Sequence, residues 1–238
     1  MPLIAKMAKT LIQSVEIPTI ALLYKLGRLQ PSSPASTPAS TNTPNQSYNN
    51  KIAYIRNDIT VLHLDAIVNA ANRTLFGGGG IDGAIHKAAG PGLLKECCTL
   101  RGCKTGSAKI TDAYNLPCKK VIHAVGPRYT DYEEPEARAL LQGCYRTCLE
   151  LAVENGLRSI ALSCLSAGIY GYPTEAAAET ALGAVRKFLG SGKGESLEKI
   201  VFCVFMEKDE EAYDMLIPYV VPQTLKTARR NTRRSSLV

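Results

Sequence analysis

From Lys51 to the end of the long apolar region, short β-type runs and helix-type runs take turns, and this alternation narrows the fold more than any other feature. "KIAYIR", "AIVNAAN", "SAKITDAYN", "KKVIHAVG", "RSIALSCL" and "KIVFCVF" read as strands, several of them apolar at every position. "IDGAIHKAAG", "EARALLQGCYRTCLELAVENG", "PTEAAAETALGAVRKFLG" and "DEEAYDMLIPYV" carry apolar residues at three- and four-residue spacing and read as helices. A strand apolar on both faces must be covered on both faces. The expected fold is therefore α/β, a central sheet between two helix layers. In such sheets ligands bind beyond the carboxyl ends of the strands.

The chain's 238 residues, 45% of them hydrophobic, suffice for one domain with extensions. Residues 1–29 form an N-terminal extension in which Ile17, Ile20, Leu23 and Tyr24 mark a short amphipathic helix. Residues 30–50 hold four prolines among Ser, Thr and Asn and read as a flexible linker. The main domain spans 51–223, and 224–238 reads as a basic disordered tail. The net charge of +7 resolves into +3 for residues 1–50, +5 for 224–238 and −1 for 51–223. A neutral core excludes a basic platform for specific nucleic-acid recognition. No apolar run is long enough for a membrane span. The eight cysteines follow no apolar signal sequence, so free thiols in an intracellular, reducing setting are expected, cytoplasmic or nuclear, with a mitochondrial address left open. "ECCTLRGC" offers no metal-ligand spacing, and no metal or cofactor is expected.

Chemistry concentrates in the loops after the strands. In "LFGGGGIDGAIHKAAG" the four glycines Gly77, Gly78, Gly79 and Gly80 precede a helix beginning near Ile81. Side-chain-free backbone at a helix N-terminus suits an anion such as a phosphate. The run lacks the G-K-[ST] of a Walker loop. A second loop, "SCLSAGIYGYP", contributes Ser166, Ala167, Gly168, Ile169, Tyr170 and Gly171. Two such loops suit opposite sides of a diphosphate, with Tyr170 packing on or closing over the ligand. Asp58 with the Ile59 backbone suits an exocyclic amine and its ring nitrogen, or else Asp58 caps a turn. Asn72 suits a ribose hydroxyl. Asp82, in the first turn of its helix, is expected to stay ionised through the helix dipole and to accept from a hydroxyl or a water. His86, one turn later, orients either Asp82 or a ligand, or is structural; His63 and His123 read as structural.

These pieces in this order resemble the MacroD-type macrodomains, which bind ADP-ribose and remove it from modified proteins. The resemblance runs from about Lys51 to Pro222, through "NDITVLHLDAIVNAANRTLFGGGGIDGAIHKAAGPGLLKEC", "TGSAKITDAYNLPCKKVIHAVGP", "LSAGIYGYP" and "IVFCVF". The segment "IPTIALLYKLGRL" is similar to the extension of fungal-type members. The resemblance implies a three-layer α/β/α fold with a mixed, mostly parallel sheet. It also implies Asp58 and Ile59 at the adenine, Phe205 packed on that ring, and the two loops around the diphosphate. Asn72, Asp82 and Tyr170 would stand at the distal ribose. Asn57 departs from the usual Gly before the adenine Asp, and Ala167 from a frequent Thr or Ser.

The implied activity is hydrolysis of the ester joining ADP-ribose to Asp or Glu side chains, and deacetylation of O-acetyl-ADP-ribose, by a monomer. Asn72, Asp82 and His86 are the candidate catalytic residues, with water activated by Asp82, a substrate phosphate or both. The competing readings are a non-catalytic ADP-ribose reader and a phosphatase of a phosphorylated ADP-ribose metabolite.

Overall fold

The computed structural model describes residues 10–31 and 43–223. Six strands form one sheet in the order β2-β8-β7-β4-β6-β5: β2 (Ile52–Arg56), β8 (Lys199–Val204), β7 (Ser159–Leu162), β4 (Ala66–Ala70), β6 (Lys120–Val125) and β5 (Ser107–Asp112). All neighbours are parallel except β5, which runs antiparallel to β6 at the edge. The sheet is thus mixed and mostly parallel, as the resemblance implied. Each read strand and each read helix is present.

The pleat sorts the strand residues between two cores. Val68, Ile122, Ile160 and Phe202 face α5 (Glu134–Glu154), α6 (Thr174–Gly190) and α7 (Glu207–Val220). Their alternates Ile67, Val121, Ala161 and Val201 face α3 (Gly80–Ala89) and α4 (Pro91–Thr99). Period-2 alternation along strands buried on both sides produces this division. The sequence reading did not assign α4, although Pro91 at its first turn is a recognised start signal.

The N-terminal segment straps the β2 edge. Ile12–Gln13 (β1) pairs in parallel with Leu62–His63 (β3), and Thr19 forms an antiparallel bridge to Ala53. Ile17 then enters the core beneath α3 and α4, while Ile20, Leu23 and Tyr24, on or beside α1 (Ile20–Lys25), enter the opposite core. Lys199 Nζ donates to the Ile17 carbonyl at 3.0 Å, tying the strap to β8.

Part of the supposed linker is ordered: Gln46–Lys51 forms a helix, α2, so the flexible reading is corrected for those residues. Asn45 caps it by accepting from Ser47 and Tyr48, Asn49 Nδ2 donates to the Pro222 carbonyl, and the Arg186 guanidinium lies 5.7 Å from the centre of the Tyr48 ring. These partners override a polar sequence with no helical periodicity. Residues 32–42 of that linker and the basic tail 224–238 lie outside the described residues.

Candidate active site

The carboxyl ends of β2, β4, β6, β7 and β8 open onto one cleft made of two joined cavities. The first, about 310 Å³, takes in Asn72, Gly78, Asp82, Gly126, Ser166 and Tyr170. The second, about 430 Å³, takes in Asp58, Ile59, Ala167, Phe205, Lys208 and Asp209. They meet at Gly80, Ile81, Cys164 and Gly168. Gly79 and Ile169 also line the first cavity. The positions read as adenine-binding and ribose-binding therefore fall at opposite ends of a single cleft, with the two glycine loops between them.

The glycine run has two separate reasons to lack side chains. Gly80 adopts φ +60°, a left-handed conformation that side chains disfavour. At Gly78 the reason is proximity: an added Cβ would lie 3.2 Å from Asp82 Oδ2 and 3.5 Å from Asn72 Nδ2. The loop backbone thus runs directly against the polar side chains of the first cavity. Helix α3 begins at Gly80 with Gly79 as its cap and no side-chain cap, so its first N–H groups meet the cleft without an internal partner of that kind.

Asn72 organises the loop. Its Oδ1 accepts from Thr74 N, Thr74 Oγ1 and Leu75 N, and its Nδ2 donates to the Gly77 carbonyl at 2.8 Å. One N–H of that amide is left over for a ligand. Asp58 takes both sequence-based roles at once. It lines the second cavity and caps the 3₁₀ turn Ile59–Val61, its Oδ1 accepting from Thr60 N at 2.9 Å and Thr60 Oγ1 at 2.7 Å.

Asp82 differs from its sequence-based description. It is 3% exposed, and burial pushes its carboxyl above the ordinary range, opposed by the hydrogen bond from Asn69 and the nearby His86. The expectation of a low pKa is therefore corrected: burial is the largest cause acting on this carboxyl, and it raises the pKa. Asn69 Nδ2 donates to Asp82 Oδ1 at 2.7 Å, and His86 Nε2 stands 3.5 Å from the same oxygen. Oδ2 faces Gly78.

Three expected site residues are placed elsewhere. His86 and Gly77 border a separate groove on the far side of the glycine loop, so His86 reaches the cleft only through Asp82. Gly171 lines neither cavity; at φ +67° it closes a turn in which its N–H donates to the Gly168 carbonyl. The sequence reading missed Gly126, Lys208 and Asp209, and it held Cys164 only as part of the second loop. A Cβ at Gly126 would lie 2.2 Å from Ser166 Oγ, so that hydroxyl would have to turn away. Burial of the sulfur pushes the thiol of Cys164, at the junction of the two cavities, well above its ordinary range, which disfavours the thiolate that a nucleophile needs.

Among the described residues, one group has metal-ligand types close together: His86, Cys97 and His123. The His123 nitrogens lie 3.1 Å from Asn69 Nδ2 and 2.9 Å from Thr111 Oγ1, and burial pushes the Cys97 thiol up to about 11. His123 and Cys97 are thus occupied by contacts within the fold, His123 Nε2 also lying 3.7 Å from Cys97 Sγ.

A model of the Macro domain matches residues 68–181. A macro domain-containing protein of Chlorobaculum tepidum is 53% identical over 159 residues, 67% of this chain and 91% of that one. The chain belongs to the macro domain family. This macrodomain is also 52% identical over 176 residues to the bovine ADP-ribose glycohydrolase MACROD1, covering 73% of this chain and 53% of that protein. It therefore spans about half the length of that relative. A Trypanosoma brucei macrodomain solved in complex with ADP-ribose superposes with a TM-score of 0.71 at 39% identity, over 87% of this chain and 77% of that one.

Proposed function

We propose that this macrodomain is a hydrolase that releases ADP-ribose from Asp and Glu side chains of mono-ADP-ribosylated proteins, and acetate from O-acetyl-ADP-ribose. Asp82 carries the reading. A buried carboxylate with one oxygen held by Asn69 and the other facing the glycine loop is a positioned proton acceptor, and its raised pKa improves it as a base. The bovine relative's name and the trypanosome complex support the same ligand and reaction class.

Adenine would occupy the second cavity, its amine toward Asp58 and its ring against Phe205, which is 67% exposed and so has a free face. The diphosphate would lie between Gly78–Gly80 and Ser166–Gly168, met by loop N–H groups. The distal ribose would reach Asn72, Asp82 and Tyr170. Water deprotonated by Asp82, with a substrate phosphate sharing the proton, cleaves the ester to free ADP-ribose and a carboxylate. The eight thiols are all free, which suits a reducing compartment.

The test is release of ADP-ribose from a carrier modified on glutamate, with Asp82→Ala beside the native chain. Native release, with the variant slowed about a hundredfold or more yet still binding ADP-ribose, supports the hydrolase. Binding by both with release by neither makes the protein a reader, and release of inorganic phosphate from a phosphorylated metabolite makes it a phosphatase.

A further inference from the structure

Beneath the cleft, three buried polar side chains interrupt the apolar face of the sheet: Asn69, Thr111 and His123. The parallel register of β4 and β6 sets Asn69 beside His123. On the other flank β5 sets Lys109 opposite His123, so Thr111, two residues along, shares its face. The result is a continuous chain of contacts. Asn69 Nδ2 is 2.7 Å from Asp82 Oδ1 and 3.1 Å from His123 Nδ1, while His123 Nε2 is 2.9 Å from Thr111 Oγ1.

The donors in this chain are fixed by chemistry. An amide nitrogen only donates, so His123 Nδ1 accepts and the ring proton sits on Nε2, which faces Thr111 Oγ1 at 2.9 Å and Cys97 Sγ at 3.7 Å. Thr111 Oγ1 then gives its own hydrogen toward the Val121 carbonyl, 3.5 Å away. Turning the Asn69 amide over would place its oxygen against Asp82 Oδ1. The present orientation instead leaves Asn69 Oδ1 without a protein hydrogen-bond partner, so the amide is held by what it donates to.

We propose that His123 is a positioning residue for Asp82, acting through Asn69. Its Nδ1 takes one amide hydrogen, which aims the other at Asp82 Oδ1 and keeps Oδ2 toward Gly78 and the cleft. The inference rests on the hydrolase reading for its kinetic consequence, though not for its geometry. Burial holds the His123 pKa down at about 3, so the ring stays a neutral acceptor at any working pH. The other groups near Asp82 are His86 on its own helix, Cys97 on α4, and Tyr170 and Asn72 in the cleft wall. Among these partners Asn69 makes the largest contribution lowering the Asp82 pKa, so loosening Asn69 must raise it.

The experiment compares the native chain with His123→Leu, His123→Asn and Thr111→Val. Asparagine can keep an acceptor oxygen where Nδ1 stood; valine at 111 removes the nearer acceptor of the Nε2 proton and leaves Cys97 Sγ, 3.7 Å away, as the other. Imidazole nitrogen NMR of the native chain should place the proton on Nε2, and a proton on Nδ1 overturns the proposal. His123→Leu should lower kcat roughly tenfold to a hundredfold with KM held, and move the acid limb of the kcat profile upward. Carboxyl carbon NMR without substrate should show Asp82 titrating at higher pH in that variant and in Thr111→Val, with His123→Asn returning toward the native value. Should His123→Leu not fold, Thr111→Val and the tautomer decide. A folded His123→Leu or Thr111→Val that leaves the Asp82 titration in place overturns the proposal. Because that titration needs no turnover, a native protein that releases no ADP-ribose sinks the hydrolase reading separately.

Discussion

Asp82 carries opposing demands. Burial raises its folded pKa above the unfolded value, so the folded state holds this proton more tightly than the unfolded chain. The sign follows: this contribution to stability is full below the unfolded pKa and is lost as pH rises through the folded one. Wherever it is ionised, the carboxylate therefore disfavours the fold it serves. Asp82→Asn keeps an oxygen for the Asn69 N–H and removes the charge. It should abolish release of ADP-ribose while raising the Tm by a few degrees at neutral pH, with the gain shrinking as the pH is lowered. Calorimetry of both proteins across the acid range checks this, and a gain that persists undiminished at low pH would rule out the explanation. The sequence located Asp82 through its place after four glycines, but misjudged its pKa. A helix terminus is visible in a string of residues, whereas desolvation is a property of packing. Asn69 went unread for the same reason, and His123 was read only as structural. The available signal was a lone polar residue inside each of two apolar strands, "AIVNA" and "VIHAV".

Elements with strong periodicity were legible, and those made by tertiary contact were not. Helix α5, at 21 residues, shows itself through spacing alone. Strand β1 is two residues long and exists because β3 lies beside it, and α2 is polar apart from Tyr48 and held by its cap and the Pro222 carbonyl. The strap between them and the sheet edge invites a test at this scale. Ile17 is 1% exposed and packs in the core under α3 and α4, while Ile20, three residues on, packs in the other. Truncating Ile17→Ala removes three methylene or methyl carbons from a filled site and should cost about 2–4 kcal/mol. The cleft lies at the strand ends and takes no residue from the strap. Denaturant titration should therefore show the loss while ADP-ribose affinity of the folded protein stays as in the native chain. An unchanged midpoint would show that the strap is only loosely docked.

Across the whole molecule, charge and binding site are separated. Residues 51–223 carry −1, and the last fifteen residues carry +5. Among the residues lining the two joined cavities Lys208 is the only cation, so an anionic diphosphate would be held chiefly by backbone N–H groups, which do not release bound counterions as lysines and arginines on a polyanion do. Two binding modes with different salt responses follow. ADP-ribose affinity should change little between low and physiological salt. Any affinity of the full chain for duplex DNA should fall steeply, with a log–log slope no steeper than about −4.5, the value for five neutralised phosphates. Removing 224–238 should flatten the DNA response and leave ADP-ribose binding untouched. Paired titrations of the full and shortened chains over a salt series decide it. A DNA slope that survives the deletion would place the basic surface in residues 1–223, in the +3 N-terminal segment or on the near-neutral core.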